Sequence, residues 1–226
     1  MRVPTAVIAA AVIVVASASV AGEQPPVSNA DCNQPAPTAL TTVPLPGHPF
    51  SIVSTQDGCW LFVSLTSVDP KSNGVAVLRR ALGTIAMTRM FAIEGREGRP
   101  PLRPGPSGMV ITHDGQLLIA ANDDDVVFLD VKSMISGEAD PTVGHMSDGR
   151  SAGSIYVNVT RGDRFLFVSD EHSETISVIN LEKARHSNFD RSAMVGKIPV
   201  GVASIALTFS PDEKWLYTTR EVASAS

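Results

Sequence analysis

The chain repeats itself. STQDGCWLFVS from Ser54, ITHDGQLLIAAN from Ile111, VTRGDRFLFVSD from Val159 and SPDEKWLYTT from Ser210 share one pattern, a polar turn followed by an apolar, β-rich run. With Asp57, Asp114, Gly162 and Asp212 as equivalent turn positions, the copies stand 57, 48 and 50 residues apart. Self-similarity at such a period restricts the chain to an array of supersecondary units, each too small to bury its own apolar face and each stacked on its neighbours.

Every copy sits in a longer frame. A Gly/Pro-rich entry and a short apolar strand precede it: PLPGHPFSIV, RPGPSGMVIT, GRSAGSIYVNV and IPVGVASIALTF. In the first three copies a second turn and a β-rich run follow, NGVAVLRR, DDDVVFLDV and SETISVINL. A further strand leads to the next entry, TIAMTRMFAI in the first repeat and MVGKIPVG in the third, whereas GEADPTVGHMSDGR in the second is too polar to place. Four short strands per repeat of about fifty residues predict an all-β fold of β-propeller blades. The boundaries expected are 44–100, 101–150 and 151–198 for three complete four-stranded blades and 199–226 for a partial fourth, an open arc over 44–226. A β-sandwich is the alternative architecture. Asp-Gly recurs in the turns because Gly accepts positive φ and Asp bonds its own following backbone. Gly162-Asp163 reverses that order and Asp212-Glu213 lacks the glycine, so these two turns are expected to differ in conformation.

The frame IPVGVASIALTFSPDEKWLYTT, with GDRFLFVSDEHSETISVINLEKA, resembles the YVTN repeat of lactonase-like β-propellers. The likeness runs from about Pro44 to Thr219. It implies either hydrolysis of sugar lactones at the central axis or an exported binding or interaction module. Its motifs are structural, and no catalytic motif of the hydrolases matches this sequence residue by residue. The chain accordingly reads as an N-terminal portion of a longer propeller, with the Trp215–Thr219 strand unpaired unless Thr38 to Val43 completes it. In that reading any activity belongs partly to the absent blades.

Ahead of the repeats, Arg2 precedes VPTAVIAAAVIVVASASVA and then a polar stretch. This is the pattern of a secretory signal peptide over 1–21, cleaved before Gly22, with an uncleaved anchor helix as the alternative. A proline-rich leader occupies 22–43. Export makes the two cysteines, Cys32 and Cys59, a candidate disulfide. The formal net charge is −5 and no cluster of Lys or Arg forms a nucleic-acid footprint. The partner expected is a protein or small-molecule ligand, with no nucleic acid, no stable membrane span after cleavage, and no cofactor.

The remaining candidates for chemistry lie in turns. Asn122-Asp123-Asp124-Asp125 offers hard oxygen ligands for calcium, but successive residues of a tight turn diverge, so a solvated turn without metal is expected. His172, flanked by Glu171 and Glu174, has the composition of a general base beside carboxylates and the context of a solvated turn. His48, His113, His145 and His186 are loop-like, with no two at ligand spacing. Ser107 (with Gly108), Ser151 and Ser204 fall at blade entries without an adjacent base or nucleophile elbow. Asn158-Val159-Thr160 matches a glycosylation sequon but reads as strand. No residue is therefore assigned a catalytic, cofactor-binding or metal role.

Overall fold

A computed structural model of the chain describes residues 32, 34–38, 40–93 and 105–221. The expected signal peptide at 1–21 lies outside them. Among the described residues, fourteen strands form three four-stranded antiparallel sheets and a two-stranded one, each in chain order from first strand to last. The first sheet holds β1 (His48–Ser54), β2 (Trp60–Thr66), β3 (Gly74–Ala81) and β4 (Thr84–Ala92). The second holds β5 (Met109–Ile111), β6 (Leu117–Asn122), β7 (Asp125–Asp130) and β8 (Thr142–Ser147). The third holds β9 (Ser154–Val159), β10 (Phe165–Asp170), β11 (Thr175–Asn180) and β12 (Met194–Pro199), and β13 (Ser204–Phe209) pairs with β14 (Leu216–Arg220). First strands neighbour one another, β1 beside β5, β5 beside β9 and β9 beside β13, so the sheets are blades radiating from an inner row. Three blades and a half form an open arc.

Packing between blades drives this arrangement. Phe62, Val75 and Val77 of blade one meet Leu118, Ala120, Val127 and Leu129 of blade two. Ile119, Val126 and Phe128, from the other face of blade two, meet Val157, Leu166, Val168 and Ile179 of blade three. Alternate residues of β6 thus face opposite seams, the period-two pattern of a strand buried on both sides. Each fully buried large side chain contributes roughly 1.5–3 kcal/mol of transfer free energy.

The tract too polar to place in the second repeat contains β8. Ahead of it runs a short helix, α1 (Val131–Ser136), and its counterpart in blade three is α2 (Leu181–His186). Asp130 and Asn180 cap their N-termini, accepting from the amides of Ser133 and Lys183. Met134 and Ala184 turn inward, and beyond α2 the Phe189 ring stacks on Phe128 at 4.4 Å.

The expected difference among the four turns is corrected. The second turn position has positive φ in every blade: 67° at Gly58, 71° at Gly115, 52° at Asp163 and 56° at Glu213. In each, its amide bonds the carbonyl three residues back, from Thr55, Thr112, Thr160 and Ser210 respectively, at 2.8–2.9 Å. The conformation is conserved because the acidic residues recover its backbone cost through their side chains. Asp163 Oδ1 and Oδ2 accept from the His113 and Asp114 amides of the preceding blade, both at 2.9 Å. Glu213 accepts in the same way from the Arg161 amide.

The leader is tied to blade one through the Cys32–Cys59 disulfide, with 5.2 Å between Cα atoms. Cys59 sits in the turn immediately before β2. The leader's Val43 and Leu45 pack against the outer cluster of Val63, Leu65, Ala76 and Leu78. It therefore covers blade one, and the β13–β14 sheet has two strands rather than a third drawn from Thr38 to Val43. Apolar side chains remain open at both ends of the arc, Phe50 and Ile52 on β1 and Trp215 and Tyr217 on the last hairpin.

Candidate functional site

The described loops joining one blade's last strand to the next blade's first, and those between second and third strands, share one face of the arc. Here the carboxylates and hydroxyls singled out in the sequence gather. Hydroxyls on this face, Ser64 and Ser169 among them, join blades. Ser64 Oγ donates to the Ser107 carbonyl at 2.6 Å, Ser107 Oγ to the Ile155 carbonyl at 2.8 Å, and Ser169 Oγ to the Ile205 carbonyl at 2.5 Å. Gly108 N also donates to Ile155 at 2.8 Å. A Cβ at Gly108 would lie 2.7 Å from that carbonyl, so glycine permits this close approach of first strands. Ser204 is buried and shares a hydrogen bond with Thr218 at 2.6 Å.

The Asn122–Asp125 turn is not uniformly solvated, which corrects the expectation for its middle residue. Asp123 adopts φ 60°. Asp124 is buried and accepts from the Ser151 amide at 2.8 Å, fastening the loop that enters blade three. Asp125 turns to His145, Oδ2 to Nδ1 at 3.4 Å, and that hydrogen bond raises the histidine above its ordinary range against the opposing effect of burial. The three carboxylates diverge, and the described residues contain no group of three or more His, Cys, Asp or Glu able to hold a metal ion.

His172 is exposed and lines, with Asp123, Ser107, Gly153 and Glu171, a depression of about 10 Å³. Glu174 is exposed at φ 58°. The other histidines lie apart: His48 opens β1, His113 contacts Asp163 at 2.9 Å, and His186 bonds the Glu182 carbonyl within α2. In the sequon, Asn158 Nδ2 donates to the Leu207 carbonyl at 3.2 Å, so its side chain is engaged in the seam between β9 and β13.

The most highly organised polar group was not singled out in the sequence. Asp148 follows β8, Asp170 ends β10, and Lys197 lies on β12. Lys197 Nζ contacts Asp170 Oδ2 at 2.7 Å and Asp148 Oδ1 at 3.0 Å. Both carboxyl side chains are fully buried, while the lysine side chain is 29% exposed. Ser177 and Thr175 also donate to Asp170 Oδ2, at 2.8 and 2.9 Å, and Ser154 donates to Asp148 Oδ2 at 3.0 Å. Because Val168 and Ile179, on the same face of the sheet, belong to the core between blades two and three, these charges form the polar end of that seam.

Two carboxylates beside one ammonium would leave a buried negative charge, which is costly. One carboxyl therefore keeps its proton. Burial, then hydrogen bonding and repulsion from Asp148, push Asp170 up to about 8, although Lys197 pulls the other way. Asp148 is held below the usual carboxylate range: burial opposes this, but donation from Asp170, Ser177 and Lys197 prevails. The cluster is a neutral, hydrogen-bonded unit with a proton poised near neutrality. No sequence motif marks it, since Asp148 and Asp170 read as turn residues and meet Lys197 through sheet register and the fold of the connecting loop.

No family model matches the chain, and no curated protein matches it. Solved structures do. Hydrazine synthase of Kuenenia stuttgartiensis matches with a TM-score of 0.59 at 20% identity, over 84% of this chain and 46% of that one. The periplasmic gluconolactonase of Pseudomonas aeruginosa matches with a TM-score of 0.58 at 21% identity, over 76% and 49%. A candidate 6-phosphogluconolactonase of Bacteroides uniformis matches with a TM-score of 0.57 at 14% identity, over 76% and 47%. At such identities the likeness is one of fold, and the fold is a β-propeller. This chain spans just under half the length of each.

Proposed function

We propose that the chain is an exported, lactonase-like propeller that binds a protein or small-molecule ligand rather than transforming one. The observation that carries this reading is the engagement of the loop-face groups. Asp124, Asp148, Asp170, Ser107, Ser154 and Ser177 all hold the fold together, and the depression beside His172 is too small to enclose a sugar ring. Open grooves at the seams are large enough for a ligand. One of about 610 Å³ lies between the turns of blades one and two, and one of about 520 Å³ lies between the end of β4 and β8, within the roughly 300–1,000 Å³ of small-molecule sites. Export is supported by the signal-like N-terminus and the disulfide. Among the described residues no helix is long and apolar enough to cross a membrane.

Lactone hydrolysis is the second reading, favoured by the likeness to the Pseudomonas aeruginosa periplasmic gluconolactonase. A thermal-shift screen against sugar lactones, sugar acids and short peptides, followed by chromatography of the incubated ligand, separates the two. Binding predicts a saturable rise in Tm with ligand recovered intact. Recovery of a hydrolysed product from every stabilising ligand would overturn it.

A further inference from the structure

The turns on the opposite face of the arc contain their own record of what they bind. In blade two the His113 and Asp114 amides point outward and both are taken by the Asp163 carboxylate of blade three. In blade three the Arg161 amide is taken by the Glu213 carboxylate of the last hairpin. Blade one presents the same geometry. Its turn closes with Gly58 N on the Thr55 carbonyl at 2.9 Å, and the equivalent outward amides belong to Gln56 and Asp57. The position that should supply their carboxylate is Gly115, which has no side chain. Among the described residues no acceptor meets these two amides.

The unclasped pair opens on a groove of about 610 Å³. Ile111, Val131 and Ile135 supply apolar surface to it, while Lys132 and His113 bring donors. The Asp57 carboxylate is the adverse charge, but it is folded back, accepting from Thr55 Oγ1 at 2.5 Å and the Cys59 amide at 3.0 Å. Adjacent backbone N–H groups in a turn form a concavity suited to an anion, and hydrogen bonds to an ionised acceptor are roughly twice as strong as neutral ones.

We infer that the groove between blades one and two binds a monocarboxylate with an apolar body, its carboxylate on the Gln56 and Asp57 amides and its hydrocarbon over Ile111, Val131 and Ile135. The inference is independent of what the loop face does. In effect the ligand replaces the acidic side chain that clasps the other two seams.

The test uses the full chain, labelled with ¹⁵N, titrated with sodium octanoate and separately with octanol. Octanoate is expected to give saturable shifts of the Gln56 and Asp57 amides, and octanol is not. Gly115→Asp restores the missing clasp: φ is already 71°, close to that of Asp163, and a Cβ there meets nothing within 4 Å. It should raise Tm and weaken octanoate by at least about tenfold, the equivalent of ~1.4 kcal/mol. Asp163→Ala is the converse, exposing the His113 and Asp114 amides and creating a second responsive pair. The inference is overturned if octanoate leaves Gln56 and Asp57 unmoved, if octanol moves them equally, or if a folded Gly115→Asp chain binds octanoate as before.

Discussion

Replacing Asp170 by Asn tests the buried proton. The carboxyl is fully buried and raised to about 8, against an ordinary value near 4. An acid with a raised folded-state pKa binds more protons folded than unfolded between those values. Its stability contribution is therefore complete below about pH 4 and lost as pH rises through about 8. The slope cannot exceed ~1.4 kcal/mol per pH unit, so between about pH 5.5 and about pH 7.5 the ceiling is ~2.6 kcal/mol. For a chain of this size that corresponds to a fall in Tm of roughly 5–10 °C. Asparagine retains an acceptor for Ser177 and Thr175 but cannot titrate. Melting followed by circular dichroism across that range should show a Tm that falls clearly more steeply for the parent than for the variant, in which His145, also raised, still titrates. Parallel slopes would refute the argument, because the pH dependence would then originate elsewhere.

Three further outcomes follow from the seams. Asp163→Ala removes two amide-to-carboxylate bonds between blades and should cost about 1–3 kcal/mol, read as a lower denaturation midpoint with an unchanged m-value. Asp124→Ala leaves the Ser151 amide without its acceptor and should cost a similar ~1–3 kcal/mol, with or without added calcium; a Tm shift dependent on calcium in the parent alone would instead reveal a metal site. Reducing the Cys32–Cys59 bond, which closes 27 residues, should cost roughly 2–4 kcal/mol, and thiol labelling of the unreduced protein should find neither cysteine reactive.

The blades were legible in the sequence because a strand carries its burial pattern locally. The apolar run of Leu117–Ala121 and its Asp-Gly turn identify β6 without knowledge of its neighbours. The helix α1 has a local signal of its own, Asp130 as N-cap and Gly137 beyond the last turn, at φ 85°. The seams were not legible, since each is made by residues of different repeats. Asp163 and Glu213 look like departures from a turn consensus until the preceding blade supplies the amides they accept from. Asp148 and Asp170 stand 22 residues apart and Lys197 a further 27, and only sheet register brings the lysine between them. The burial of Asp124 is not legible for the same reason: Asp124 faces the next blade's entry while Asp125 faces His145.

The polar groups of the loop face hold blades together, and the function proposed for the chain is binding without chemistry. Acid release from a panel of sugar lactones, followed by pH-stat with the full chain at several concentrations, tests it most directly. Rates equal to buffer alone are expected. A saturable rate proportional to protein concentration, and lost in Asp170→Asn or Lys197→Met chains that still melt cooperatively, would contradict it and make the buried cluster a catalytic one.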